Sequence, residues 1–246
     1  FEKYDVKKVG ILGAGLMGAG IAYVTAKAGI EVVLIDQLQE GAEKGKDYSV
    51  KLLEKALSRK KTTEEKKEKL LNLITPTTDY SLLKGADLII EAVFENRDIK
   101  ADVTAKAEEQ IVDTAVFGSN TSTLPITGLA KNSKRPNNFI GVHYFSPVEK
   151  MPLVEIIMGE ETSQETLAKT MDYVQKIKKT AIVVNDSRGF YTSRVFSTYT
   201  GEGMEMLAEG INPALIENAG KMTGMPMAPL ALMDAVALDL AHKVSV

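Results

Sequence analysis

The residues able to carry chemistry in this chain are few, and their types belong together. His143 lies in Gly141-Val142-His143-Tyr144-Phe145, at the end of an apolar run. Glu155 lies in Leu153-Val154-Glu155-Ile156-Ile157, a carboxylate inside a second apolar run. Asn120-Thr121-Ser122 follows a third, Val116–Ser119. Imidazole exchanges a proton near neutral pH, which suits it to act as a base on a hydroxyl group. A partly buried imidazole needs a carboxylate to orient it and to stabilise its cation, and Glu155 is the candidate. Ser122 and Asn120 can hydrogen-bond a substrate oxygen or a cofactor. Each also has a plain structural reading: a turn for Asn120 to Ser122, a satisfied core histidine for His143, a water-facing edge position for Glu155.

The elements that must position these groups follow from the apolar pattern. Residues 9–12 predict a buried strand, 18–28 a helix closed by Gly29, and Glu31–Ile35 a β-branched strand ending at Asp36. That is a βαβ unit within about thirty residues. Residues 40–73 predict a charged helical hairpin, restarted by a capping box of Thr62 with Glu65. Further strands are expected at 87–93, 116–119, 139–145, 154–158 and 181–185, with a helix at 97–113. Another helix, capped by Thr162 with Glu165, should turn Leu167, Met171 and Val174 to one side. Beyond Arg188-Gly189-Phe190 only helices are expected, one of them opened by Asn212-Pro213 and the next by Pro229. The expected domains are 1–187 and 188–246.

Gly13-x-Gly15-x-x-Gly18 falls between the first strand and the first helix. In that place Gly13 makes the tight turn, Gly15 admits a pyrophosphate to the backbone, and Gly18 lets helix and strand pack closely. The phosphates then meet the unpaired N–H groups of the helix start, beside Leu16 and Met17. Asp36, about twenty residues on, stands where an acidic side chain holds a ribose 2′-hydroxyl. Its charge would repel a 2′-phosphate, and Gln37 is not a compensating arginine, so NAD is expected over NADP. A bound nicotinamide and a histidine base together imply hydride removal from a secondary alcohol.

Composition narrows the field further. With no cysteine in 246 residues, disulfides, thiolate catalysis and cysteine metal sites are excluded. Only His143 and His242 could supply imidazole ligands, so no metal site is expected. A net charge of -3 gives no electrostatic reason to expect nucleic acid. No apolar run is long enough for a membrane span and no signal peptide precedes the first strand, so a cytoplasmic or organelle-matrix protein is expected. Met222, Met225, Met227 and Met233 are expected in packing roles, and His242 at the surface. Both ends look trimmed.

The stretches GILGAGLMGAGIA, DLIIEAVFENRDIK, SNTSTLPI, GVHYFSPVEKMPLVEII, NDSRGFYTSRV and GMPMAPLALMDAVALD, in that order along nearly the whole chain, resemble the 3-hydroxyacyl-CoA dehydrogenase family. The resemblance implies a Rossmann-type NAD-binding domain with an inserted helical hairpin, then an all-helical, here incomplete, substrate and dimerisation domain. It implies oxidation of L-3-hydroxyacyl-CoA to 3-ketoacyl-CoA in fatty-acid β-oxidation. It assigns His143 as base, Glu155 as its partner, and Ser122 as a substrate contact. Asp36, Glu95 and Lys100 become cofactor contacts, with Ala92 and Val93 lining the pocket. Ser193 stands where the family often has asparagine, and serine offers fewer hydrogen-bonding atoms. The exposed bases of the hairpin, Lys55 and Arg59 among them, are candidates for the phosphates of coenzyme A; a solvated helix face is the alternative. A homodimer, or a module of a larger β-oxidation complex, is the implied assembly. Two other readings stay open: a β-hydroxyacid dehydrogenase of the 6-phosphogluconate type, and a catalytically idle NAD-binding structural protein on the same fold.

Overall fold

The structure is a computed structural model that describes residues 1–236. Contacts divide the chain into Phe1–Asp186 and Ser187–Val246. His242 lies outside the described residues.

In the first unit, eight strands form one sheet: β1 (Lys8–Leu12), β2 (Glu31–Ile35), β3 (Ile74–Thr77), β4 (Leu88–Glu91), β5 (Val116–Ser119), β6 (Phe139–Tyr144), β7 (Leu153–Met158) and β8 (Thr180–Asn185). Their order is β3-β2-β1-β4-β5-β6-β7-β8. The first six are parallel; β7 runs antiparallel to β6, and β8 parallel to β7. A parallel sheet buried on both faces needs near-continuous apolar strands. Val9, Ile11 and Leu12 of β1, Val32 to Ile35 of β2 and Leu88 to Ile90 of β4 are all buried. The helices of this unit are α1 (Leu16–Lys27), α2 (Gln39–Ser58), α3 (Glu64–Leu71), α4 (Arg97–Glu108), α5 (Ile126–Ala130) and α6 (Gln164–Lys176). The described residues of the second unit form α7 (Thr192–Ala208), α8 (Pro213–Met222) and α9 (Pro229–Val236).

This is the Rossmann-like α/β arrangement with a helical C-terminal region that the sequence leads one to expect. Chain order reverses between β1 and β4, and that switch point opens a crevice at the carboxyl ends of the strands. The hairpin of α2 and α3 is present. Strand β3 was not expected, because Ile-Thr-Pro-Thr has no apolar run and carries a proline. It sits at the sheet edge, paired with β2 alone, where a residue without an N–H is tolerated. Helix α5 was not expected either.

Two helix caps fall one residue later than expected. Thr63, not Thr62, opens α3, its hydroxyl accepting from the Lys66 N–H at 3.3 Å. Ser163, not Thr162, opens α6, accepting from the Thr166 N–H at 3.1 Å. The Thr162 hydroxyl is instead captured by β6, donating to the Phe139 carbonyl at 2.7 Å. The buried residues of α6 are Thr166, Thr170, Tyr173 and Val174, and Met171 is largely exposed. In the second unit, Asn212 caps α8 by accepting from the Ala214 N–H, with Pro213 first in the helix, as expected. The packing role expected of Met222 is overturned, since that side chain is 88% exposed.

Candidate functional site

The crevice is built first by glycines. Gly13 leaves β1 with φ +94°, and a Cβ there would lie 2.6 Å from the Ala92 carbonyl oxygen. Ala92 and Val93, at the end of β4, therefore close the other wall of the switch point. A Cβ on Gly18 would lie 1.8 Å from the Gly13 oxygen, so α1 approaches the turn more closely than any side chain allows. At Gly15 nothing lies within 4 Å of the missing Cβ. That glycine serves neither turn nor packing. It opens α1, whose start has no side-chain cap and no acidic residue in the first turn. Bare N–H groups facing open space are what a pyrophosphate requires. Leu16 is exposed beside them and Met17 is half-buried.

Asp36 follows β2 and is oriented by the backbone. Its Oδ2 accepts from the Ala14 N–H, and its Oδ1 from the Gln37 N–H, both at 2.8 Å. The carboxylate is thus fixed one strand away from the glycine turn, with accepting capacity left for a ribose diol. Gln37 is exposed. These residues fit NAD: a capless helix start for the pyrophosphate and an anchored carboxylate, with no neighbouring arginine, for an unphosphorylated ribose.

His143 and Glu155 meet across β6 and β7. They are paired residues of the antiparallel ladder, and Nδ1 lies 2.7 Å from Oε2. The imidazole is 7% exposed and the Glu155 side chain fully buried. Phe145 packs on the imidazole, ring centroids 4.5 Å apart. With Nδ1 turned to the carboxylate, Nε2 is the nitrogen through which the ring would act on a ligand. Beside it, Tyr144 is fully buried. Its phenol donates to the Tyr173 hydroxyl at 3.2 Å, and burial first, then Tyr173, holds its pKa well above the ordinary value.

Asn120 and Ser122 stand in the loop after β5, the strand adjacent to β6. The Asn120 Oδ1 accepts from the Tyr144 N–H at 3.0 Å, extending the sheet one step and tying the loop to the strand that carries His143. Ser122 is exposed. Its N–H and that of Thr123 donate to Glu95 Oε1 at 3.1 and 3.2 Å. Burial pushes the Glu95 carboxyl up, but the Lys100 ammonium and the Thr121 and Thr123 hydroxyls outweigh it, and its pKa is lowered. Lys100 is 2% exposed; its ammonium sits 2.8 Å from Glu91 and 3.3 Å from Glu95. Lys55 lies in the last turn of α2 and Arg59 caps its end, both exposed. Ser193 is the second residue of α7, in the other unit.

Two residues of the site were missed in the sequence. Glu91 is buried at the end of β4, and Asp186 accepts from the Ile126 and Thr127 N–H groups to cap α5. A signal for Glu91 was present: like Glu155, it is a lone carboxylate in an apolar strand. Among the described residues there is no cluster suited to a metal ion and no helix long and apolar enough to cross a membrane.

Residues 8–187 match the model of the 3-hydroxyacyl-CoA dehydrogenase NAD binding domain, and residues 189–246 that of the C-terminal domain. The fatty acid oxidation complex subunit alpha of Shewanella amazonensis is 43% identical over 241 residues, or 98% of this chain and 34% of that protein. The chain thus spans about a third of that relative's length. The solved (S)-3-hydroxybutyryl-CoA dehydrogenase PaaH1 from Ralstonia eutropha is 36% identical with a TM-score of 0.94, covering 98% of this chain and 86% of that one. FadB2 of M. tuberculosis is 34% identical with a TM-score of 0.90, over 96% and 84% of the two chains. Two family models that together take in nearly every residue, around a crevice built for a dinucleotide, show that this chain belongs to the 3-hydroxyacyl-CoA dehydrogenase family of NAD-dependent oxidoreductases.

Proposed function

We propose that the chain oxidises L-3-hydroxyacyl-CoA to 3-ketoacyl-CoA, with His143 as general base and Glu155 as the group that orients it. The observation that carries the reading is the 2.7 Å contact of Nδ1 with Oε2 across β6 and β7, in the same sheet as the crevice at β1 and β4. Bound NAD supplies the hydride acceptor. His143 takes the hydroxyl proton on Nε2, and the buried Glu155 carboxylate stabilises the imidazolium that results. Ser122 and Asn120 hold the substrate oxygen or the nicotinamide amide. Gly13, Gly15, Gly18, Leu16, Met17, Asp36, Gln37, Ala92 and Val93 form the cofactor crevice, and Glu95 and Lys100 are assigned to its cofactor contacts.

Lys55 and Arg59 are assigned to the coenzyme A phosphates. Ser193 is assigned to the substrate side, in the position the family often gives to asparagine. In this reading 1–187 serve the cofactor and base, and 188–246 serve substrate binding and dimerisation. The relative from Shewanella amazonensis is named as a subunit of a fatty acid oxidation complex. By analogy, this chain would work as a β-oxidation module in the cytoplasm or an organelle matrix. The test is NADH consumption with acetoacetyl-CoA. Turnover that vanishes with free acetoacetate supports the reading. NADH binding without turnover rejects it in favour of an idle NAD-binding protein.

A further inference from the structure

We propose that Glu91 is a positioning residue for this dehydrogenation, fixing through Lys100, Ser119 and Glu95 the loop that presents Ser122. The inference rests on the reading of Ser122 as a substrate contact.

Glu91 is 1% exposed, and its carboxylate is fully engaged. Oε1 accepts from the Val93 N–H and from Lys100 Nζ, each at 2.8 Å. Oε2 accepts from Lys100 at 2.9 Å and from the Ser119 hydroxyl at 2.6 Å. A group so committed has no part in proton transfer. Nor is stability a sufficient reason for it, because a buried ion pair is often replaceable by apolar side chains without loss. Its placement supplies another reason. Glu91 sits between Leu12 of β1 and Ser119 of β5 in the ladder, directly beneath the loop that follows β5.

The loop is tied to Glu91 at both its root and its tip. At the root, the Asn120 N–H donates to the Glu91 carbonyl at 2.7 Å, beside the Ser119 hydroxyl. At the tip, the link runs through charge. One ammonium, Lys100, lies between two carboxylates, 2.8 Å from Glu91 and 3.3 Å from Glu95. Glu95 then gathers the Ser122 and Thr123 N–H groups and the Thr121 and Thr123 hydroxyls. The two charge-assisted bonds to Glu91 fix the Lys100 ammonium, and its ion pair with Glu95 at 3.3 Å carries that placement from the sheet to the loop. Replacing Glu91 leaves Lys100 free to follow Glu95, and the Ser122 backbone with it.

A double-mutant cycle tests this, with Glu91→Gln and Ser122→Ala made singly and together in the full chain. The readouts are kcat and KM for acetoacetyl-CoA and NADH affinity by fluorescence titration. Glu91→Gln should lower kcat about tenfold or more, a larger change than in NADH affinity, since misplacing a contact by an ångström is that costly. The double variant should be no slower than Ser122→Ala alone. Losses that multiply overturn the inference about Glu91 and leave the Ser122 assignment standing. An unchanged kcat in Ser122→Ala overturns the assignment beneath it. Should Glu91→Gln fail to fold, Ser119→Ala removes a single bond of the same network and runs through the same cycle with the same outcomes.

Discussion

His143 and Glu155 are directly opposite one another where β6 and β7 run antiparallel, in a sheet whose other described strand pairs are parallel, with Nδ1 2.7 Å from Oε2. Cross-strand partners are held by ladder hydrogen bonds on both sides, so this contact is more rigid than one between two loops. Glu155, with no exposed surface, has few alternative partners to turn toward.

Removing the base should separate chemistry from binding. His143→Ala is expected to lower kcat by about 10²–10⁴-fold, the usual contribution of general acid–base catalysis. NADH affinity should change little, because Asp36 and the glycine turn lie across the switch point from β6. Glu155→Gln should lower kcat by on the order of 10²-fold, since the imidazolium loses its buried counter-charge. Equal loss of turnover and NADH binding in His143→Ala would reject the division of roles.

The glycines of the first turn should part company under substitution. Gly18→Ala forces a Cβ to within 1.8 Å of a backbone oxygen and should cost about 1–3 kcal/mol, read as a lower melting temperature. Gly15→Ala meets nothing within 4 Å, so the melting temperature should hold while NADH affinity falls. A Gly15→Ala protein that binds NADH as the parent does would show that the pyrophosphate does not pass there.

Cofactor choice should reside in Asp36. Asp36→Ala is expected to reduce NADH affinity about tenfold and to narrow the preference over NADPH, as the charge facing a 2′-phosphate is lost. Parallel titrations with both dinucleotides give the ratio; an unchanged ratio would remove Asp36 from specificity.

Acid should reveal the Glu95 network. The folded-state pKa of Glu95 is lowered below its ordinary 4.5, so the unfolded chain binds its proton more readily. The group therefore contributes stability in full above about pH 4.5 and loses it as pH falls through the lower folded value. The difference in melting temperature between the parent and Glu95→Gln should be flat from about pH 5 to 7 and shrink below about pH 4.5. A difference that stays constant into the acid range would mean that Glu95 is not held charged by its partners.

Much of the molecule was legible in the chain itself, because the features concerned are local. The first turn with its three glycines, the strand ending at Asp36 and the Asn212-Pro213 helix start each depend on residues within one or two elements. Their backbone demands are met by residue type alone. The same holds for six of the strands, whose apolar runs mark burial on both faces; the run of β8 also marks a strand, but one that lies at the sheet edge with no buried residue.

Tertiary structure decided the rest. Strand β3 has no apolar run and exists because β2 leaves a free edge for it. The cap of α6 moved to Ser163 because β6 takes the Thr162 hydroxyl. The place of Asn120 is set by its Oδ1, which accepts from the Tyr144 N–H, a partner 24 residues away. Glu91 and Lys100 are charged side chains whose partners cannot be read from their own segments. Their burial arises only when β1, β4 and β5 come side by side and shut water away from the end of the sheet. Residue type told which groups were able to do chemistry; sheet order and register, set by packing over long separations, decided which of them meet.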